Sequence, residues 1–278
     1  MLRTEGVDTE LIKKIKMGSM YFGNNLAKLR DKYPGQGEIS FSNSVEDSII
    51  SWVPVNGVLI ADRVLCNTIS WNDLLKMGYI WGTPVRIDGK AYLCRVLKKE
   101  DKENKVCEWS DAMSRVGSDA FIWHWGGICS FSQDTVETSD SAKLNYTVTC
   151  RGYGGKSAFT WEWANIDQRS KDFGFRPVLV PLPEEISLVD ESLMGSRITV
   201  FSNMGWITSR VKDFTDYDLV LDGIVDAEPI RDNADPLEGW ASWSGEGDSI
   251  VDISKTEILI DRSAIIYMHL EKSEEAFS

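Results

Sequence analysis

Ser51-Trp52-Val53-Pro54-Val55-Asn56-Gly57-Val58-Leu59-Ile60-Ala61 is the stretch on which the fold turns. Ile49 to Val55 and Val58 to Leu65 are rich in β-branched and apolar residues, the composition of strands. Asn56-Gly57 between them can supply the two positive-φ positions of a tight two-residue turn, so the segment predicts a β-hairpin. A second hairpin follows in Val85-Arg86-Ile87-Asp88-Gly89-Lys90-Ala91-Tyr92, where Asp88-Gly89 sits between alternating apolar residues. Helical signals are short by comparison. Ser70-Trp71-Asn72-Asp73 has the form of a capping box, with Leu74, Leu75 and Met77 behind it and a stop at Gly78. Glu108 to Val116 reads as a short amphipathic helix stopped by Gly117.

Outward from these hairpins, the first 30 or so residues read as helix. Thr9 can cap, Leu11, Ile12 and Ile15 form an apolar stripe, and Gly18 and Gly23 are breaks before Asn24 to Lys32. Residues 1–44 are thus expected to be a helical segment packed on a main domain of residues 45–182. Residues 118–180 are aromatic and glycine-rich, with strand-like pieces at Ala120 to Trp125, Tyr146 to Arg151 and Phe175 to Val180. Gln133 to Asn145 is polar and reads as an exposed loop.

Pro181-Leu182-Pro183-Glu184-Glu185 is the most linker-like stretch, because proline removes backbone donors and stiffens the chain. Beyond it, strands are expected at Arg197 to Phe201, Trp206 to Asp213, Asp218 to Leu221, Ser249 to Ile253 with Glu257 to Ile260, and Ala264 to His269. Their spacing suggests a small closed barrel over 183–278, interrupted by an acidic insertion at Asp222 to Gly247. The class is α+β, mainly β.

Composition agrees with a folded chain: of 278 residues, 42% are hydrophobic and 26% charged. No run of about 18 apolar residues predicts a membrane-spanning helix. The charged opening, Met1 to Lys16, lacks the apolar stretch of a secretory signal, so a cytoplasmic location is expected. Five cysteines, an odd number with no CxxC spacing, fit reduced core thiols better than a disulfide framework.

The net charge of −13 is unevenly spread. Leu188 to Ser278 holds 19 acidic and 7 basic residues, whereas the first 187 hold 24 and 23. The acidic end repels nucleic-acid backbones, so long nucleic acid is excluded as a partner. A small anion remains compatible with the neutral part.

Several tempting motifs carry little. Cys150-Arg151-Gly152-Tyr153-Gly154-Gly155-Lys156-Ser157 imitates a phosphate-binding loop, but Cys150 stands where glycine is required. Trp71-Asn72-Asp73 spells a lectin calcium tripeptide yet lies at a helix start, where Asn and Asp are ordinary. With only His124 and His269 present, a His-rich metal site is excluded. Cys129 with His124 lacks a third, orienting group. Neither a catalytic set nor a cofactor motif emerges.

What remains is an aromatic and arginine set: Trp123, Trp125, Arg151, Tyr153, Trp161, Trp163 and Arg169, with Arg176 as a candidate buried strut. Indole faces stack on bases or sugars, and guanidinium forks grip phosphates and carboxylates. The first seven are the expected ligand-binding residues.

Phe121 to Trp125, then Cys150 to Tyr153, then Gly174-Phe175-Arg176-Pro177-Val178-Leu179 resemble the ordered signature of C-type-lectin-like domains. Such domains occur in the formylglycine-generating-enzyme superfamily and in phage and prophage proteins. Ile69 to Leu74 and Gly82 to Tyr92 fit the same kind of domain. The resemblance spans about residues 45 to 182 and implies a twisted antiparallel sheet, flanking helices and long loops presenting a binding face. The copper-binding cysteine pair of the oxidising enzymes has no counterpart, so their chemistry is not carried over. Residues 197–267 are similar, more faintly, to Sm-like or SH3-like barrels, although their acidity argues against RNA and favours protein contact or oligomerisation.

The expectation is a binding protein without catalysis, of phage type, acting inside the host cell. It would sequester a small nucleotide-like ligand, such as a host-defence signal, or block a host defence protein, without membrane association and as a homo-oligomer. The alternatives are a virion adhesin that binds cell-surface glycan or protein, and an enzyme acting through carboxylates that the sequence does not single out.

Overall fold

The computed structural model describes residues 13–98, 108–124, 127–136, 147–151, 161–187, 189–202, 205–229, 241–243 and 257–271. The chain is mainly β with few helices. Its first part contains β1 (Ile15–Lys16), β2 (Ser19–Phe22), β3 (Asn25–Leu26), β4 (Asp31–Lys32), β5 (Ile39–Ser42), β6 (Ser51–Val55), β7 (Val58–Ala61) and β8 (Cys66–Asn67). Helix α1 (Trp71–Lys76) precedes β9 (Thr83–Ile87) and β10 (Lys90–Arg95), and helices α2 (Glu108–Val116) and α3 (Ala120–Trp123) follow. Then come β11 (Cys129–Val136), β12 (Thr147–Arg151), β13 (Trp161–Asn165), β14 (Phe173–Phe175) and β15 (Val178–Pro181).

Both hairpins form as the turn chemistry dictates. Asn56 and Gly57 take φ of 47° and 79°, and Asp88 and Gly89 take 48° and 79°. Positive φ at both central residues matches the right-handed twist of the flanking strands. The register is set by Val55 opposite Val58 and Ile87 opposite Lys90. In α1 the Ser70 hydroxyl caps the Asp73 N–H while the Asp73 carboxylate accepts from the Ser70 N–H, completing the box.

The strands join into two six-stranded sheets. One runs β1-β6-β7-β15-β10-β9 and the other β13-β12-β11-β14-β8-β4, beside a small β3-β2-β5 sheet. The first sheet is covered on both faces. Trp52, Ala61 and Leu179 point into the main core, while Val53, Ile60 and Val178 meet α2 and α3 on the other side. Alternation along a strand sends neighbours to opposite faces, so a strand buried on both sides reads as an unbroken apolar run. The Gly174–Leu179 segment links the sheets: β14 lies in the second, β15 in the first, and Arg176-Pro177 is the crossing.

Three expectations for this part are corrected. From residue 13 onward the N-terminal segment is strand, not helix. Ile15 and Lys16 extend the first sheet by pairing with Trp52 and Ser51, and Met17, Met20 and Phe22 are buried. Edge pairing and burial outweigh a weak local helix preference. Thr9, Leu11 and Ile12 lie outside the described residues. Likewise Ala120–Trp123 is one helical turn, not a strand: the Asp119 carboxylate caps the Phe121 N–H, and His124 ends the turn in the left-handed region at φ 42°. The loop expected from Gln133 begins later, because β11 continues to Val136 and Gln133 is buried, donating from Nε2 to the Ile80 carbonyl at 2.9 Å.

After the proline-rich stretch the second part contains β16 (Arg197–Ser202), β17 (Gly205–Phe214), β18 (Asp218–Pro229), β19 (Ala241–Trp243), β20 (Glu257–Asp261) and β21 (Ile265–Leu270). These form one antiparallel sheet in the order β19-β20-β18-β17-β16-β21, a half-barrel over its own core of Ile198, Val200, Ile207, Leu219, Leu221 and Ile258. Register shifts between Thr208 and Arg210 and between Val211 and Asp213 bend β17, as bulges do. Among the described residues, the edge strands β19 and β21 do not pair with each other, so closure is not seen there. The strand expected at Ser249 to Ile253 lies outside the described residues. Across the junction, Arg86 pairs with Glu185 and the Tyr267 hydroxyl donates to the Pro183 carbonyl. Among the described residues, no helix is long and apolar enough to cross a membrane. Cys66, Cys94 and Cys129 are buried and form no disulfide.

Gly174 is where β14 passes closest to its neighbour. A Cβ there would run into the Cys66 carbonyl oxygen and Val64 Cγ1, the first of which is rigid backbone. Gly174→Ala is expected to lose about 1–3 kcal/mol or more, read as a lower urea midpoint at unchanged slope.

Candidate functional site

Strand β7 ends in Ala61, and the next two residues, Asp62 and Arg63, begin a polar cluster. Asp62 is only 1% exposed. Its backbone N–H donates to the Ser51 carbonyl at 2.9 Å, which fixes it at the end of the first hairpin. Arg63 folds back onto it, donating from Nε to Oδ1 at 2.6 Å and from Nη2 to Oδ2 at 3.1 Å. Lys14 reaches the same carboxylate, its Nζ 2.9 Å from Oδ2. That ammonium also donates to the Phe121 carbonyl at 3.0 Å and lies 3.2 Å from His124 Nε2. Arg30 closes the cluster from another loop, donating from Nη2 to the His124 carbonyl at 2.6 Å.

The charges decide the protonation states. Burial pushes the Asp62 carboxyl upward, but hydrogen bonds from Arg63 and Lys14 outweigh it and hold the carboxyl below its ordinary value. For His124, burial lowers the pKa first; Asp62 opposes this, and Arg63, Lys14 and Arg30 lower it further. The ring is therefore neutral near pH 7. An ammonium only donates, so Nε2 accepts from Lys14 and the ring proton sits on Nδ1. The 3.3 Å approach of Nε2 to Asp62 Oδ2 is then a contact of two acceptors held together by the Lys14 ammonium between them.

Beneath the cluster lies Arg176, with no exposed surface. Nε donates to Ser130 Oγ at 2.8 Å, and Nη1 to the Ala61 and Trp123 carbonyls, each at 3.2 Å. The guanidinium carbon sits 5.1 Å from the Trp109 ring centroid and 5.9 Å from that of Trp123. Burial lowers its pKa to about 9; Asp62 supports the charge, and Arg30 and Arg63 oppose it. It remains a cation at neutral pH. Lys14, Arg63 and Arg176 thus share one acid, Asp62, and Arg30 stands beside them on the His124 carbonyl. In a chain of net charge −13, this is a local positive excess. Lys14 and Arg63 side chains are 22% and 23% exposed, so the excess faces solvent. Guanidinium forks and an ammonium in such a patch suit a phosphate or carboxylate oxyanion.

The residues expected to bind ligand fare unequally. Trp123 is a correction: it is fully buried, its Nε1 donates to the Gly117 carbonyl at 2.8 Å, and its ring meets Trp109 edge-on at 5.1 Å. It serves the core beneath the cluster and presents no face to a ligand. Arg169 is 43% exposed, but its fork is taken by Asp73, with Nε and Nη2 at 2.8 and 2.6 Å from the carboxylate, and it lies over Tyr33. Arg151 sits opposite Trp161 in the β12–β13 register, and Thr149 opposite Trp163. The side chains of Arg151, Trp161 and Trp163, and all of Trp125 and Tyr153, lie outside the described residues. Lys14, Arg30, Asp62 and Arg63 were not expected from sequence. The only hint was a neutral first part rich in both charges. No group of His, Cys, Asp and Glu among the described residues is arranged to hold a metal ion.

Compared with protein-family models, curated proteins and solved structures, the chain matches none.

Because Asp62 has a lowered folded pKa, its stabilisation is fully present above its unfolded value of about 3.9 and is lost as pH falls through the folded value. Asp62→Asn is expected to cost about 3 kcal/mol at pH 7. It should also flatten the acid limb of the urea midpoint plotted against pH. A variant whose midpoint falls below pH 4 as steeply as the parent's would contradict this role.

Proposed function

We propose that the chain is a binding protein that holds a small anionic, nucleotide-like ligand on the face carrying Lys14, Arg30 and Arg63. One observation carries the reading: Lys14, Arg63 and Arg176 gather around a single buried carboxylate, with Arg30 beside them on the His124 carbonyl, in a strongly acidic chain. The Asp62 carboxylate orients Lys14 and Arg63 without neutralising the set; the three N–H groups of Lys14 are spent within the cluster, so an incoming oxyanion meets its positive field and the N–H groups of Arg63 and Arg30 that these bonds leave over. His124, neutral and locked between Lys14 and the Asp119-capped turn, acts as an acceptor that positions the ammonium. This is the work of a binding face, with no nucleophile beside a base.

The wider setting follows from the resemblance. A C-type-lectin-like first domain, as the resemblance implies, would be the scaffold that presents this face. The strand order of the second domain, with a 3₁₀ turn at Arg262–Ala264 before the last strand, supports an SH3-like or Sm-like half-barrel suited to protein contact. In a phage-type protein inside a host cell, the ligand would be a nucleotide signal withdrawn from a defence pathway.

Thermal-shift and calorimetric titration with cyclic nucleotides, ADP-ribose and inorganic phosphate test the reading. Stabilisation by at least one phosphorylated ligand is expected, weakening as salt rises. Arg30→Glu should cut affinity about tenfold or more, about 1.4 kcal/mol. Arg30 touches only a carbonyl in the cluster, so the fold should be retained. No stabilisation by any of these anions would overturn the proposal.

A further inference from the structure

A cleft lies between the two parts of the chain, and none of the cationic-cluster residues lines it. It encloses about 580 Å³, within the range of small-molecule sites, which favour domain junctions. The first part contributes Trp81, Lys98 and the Arg95 of β10; the half-barrel contributes Trp206, Asp226 and Glu271.

The polar groups of this cleft are unevenly committed. Arg95 is occupied, with both Nη atoms 2.8 Å from the Glu108 carboxylate. On the opposite wall, Thr199 donates its single hydroxyl proton to Glu271 Oε1. The Thr208 hydroxyl, 2.6 Å from that of Thr199, must then donate to it and keeps its own lone pairs. His269 Nε2 is 3.1 Å from the same Oε1. An ionised carboxylate only accepts, so the ring proton is on Nε2 and Nδ1 is bare. His269 is 6% exposed, and its Nδ1 is buried with no hydrogen-bond partner among the described residues. A buried acceptor left unmet is costly and calls for a donor. Glu271 Oε2, the Asp226 carboxylate and the Lys98 ammonium also have no partner among the described residues.

Among the described residues, the wall of the half-barrel is therefore a surplus of acceptors, with Lys98 as the one lining cation without a side-chain partner. Two half-buried indoles, Trp81 and Trp206, come from opposite sides. Carboxylates that repel an oxyanion accept well from hydroxyls, and indole faces stack on the C–H face of a sugar ring. We infer that the cleft binds a neutral polyhydroxylated ring, either a monosaccharide unit or the ribose of a nucleoside, with Glu271 and Asp226 taking its hydroxyl protons and Trp81 and Trp206 covering its faces.

This inference is independent of the anion-binding reading, since the two sites differ in sign and share no residue. Saturation-transfer NMR with methyl glycosides, N-acetylglucosamine, adenosine and cytidine would test it on the full chain. Saturable binding by a glycoside or by a nucleoside is expected, and which set binds identifies the source of the ring. Asp226→Asn and Trp206→Ala should each weaken it about tenfold, while Arg30→Glu leaves it unchanged. Asp226 is exposed, so its variant also guards against misfolding as the explanation. No binding by any of these rings at about 10 mM, the weak end of specific affinity, would overturn the inference. So would binding indifferent to both Asp226→Asn and Trp206→Ala.

Discussion

A guanidinium with no exposed surface sits where the chain passes from one sheet to the other. Arg176 follows β14 and precedes β15, and its donors reach Ser130 of the second sheet, the Ala61 carbonyl at the end of β7 in the first, and the Trp123 carbonyl of the short helix α3. Strand β7, the short helix α3 and strand β11 are tied by one planar group. A charge taken out of water persists only when its hydrogen bonds are met and an opposite charge is near. Asp62 supplies that charge and is buried for the same reason. The two indoles that flank the guanidinium, Trp109 and Trp123, offer π faces that stabilise it further.

The cationic face is a consequence of this constraint. Asp62 must be ionised to support Arg176, and an ionised buried carboxylate needs partners of its own, which Lys14 and Arg63 provide. Those partners are charged and stand at the surface. The cluster thus ends with more positive charge outside than the buried acid can balance. A similar economy governs Asp73. Its carboxylate closes the capping box of α1 and also engages Arg169, so a guanidinium that sequence offers as a ligand contact is already occupied in positioning the loop at residues 166–170.

The two parts of the chain differ in sign as well as in architecture. The first is nearly neutral and groups Lys14, Arg30, Arg63 and Arg176 near one buried acid, whereas the half-barrel is acidic and turns Asp226 and Glu271 toward the junction. The two regions therefore differ in local charge before any shape is considered.

Local rules determined much of the secondary structure. Asn56-Gly57 and Asp88-Gly89 make their turns because positive φ is available within the dipeptide itself. Ser70 and Asp73 cap α1 because they lie three residues apart. The rhythm of β16, β17, β18, β20 and β21 follows from alternation within each strand. Tertiary structure alone decided the rest. Ile15 and Lys16 became strand because a sheet edge was present for them to join. Trp123 went inward because Arg176 and Trp109 were waiting there, 53 residues away in one case. The cationic cluster joins Lys14 to Asp62 over 48 residues, to His124 over 110, and Arg30 to His124 over 94. Propensity and periodicity act across a few residues, so no pattern along the chain encodes such a meeting. Only the packing of the two sheets, set by burial and by the pairing of a buried charge, brings those side chains to one place.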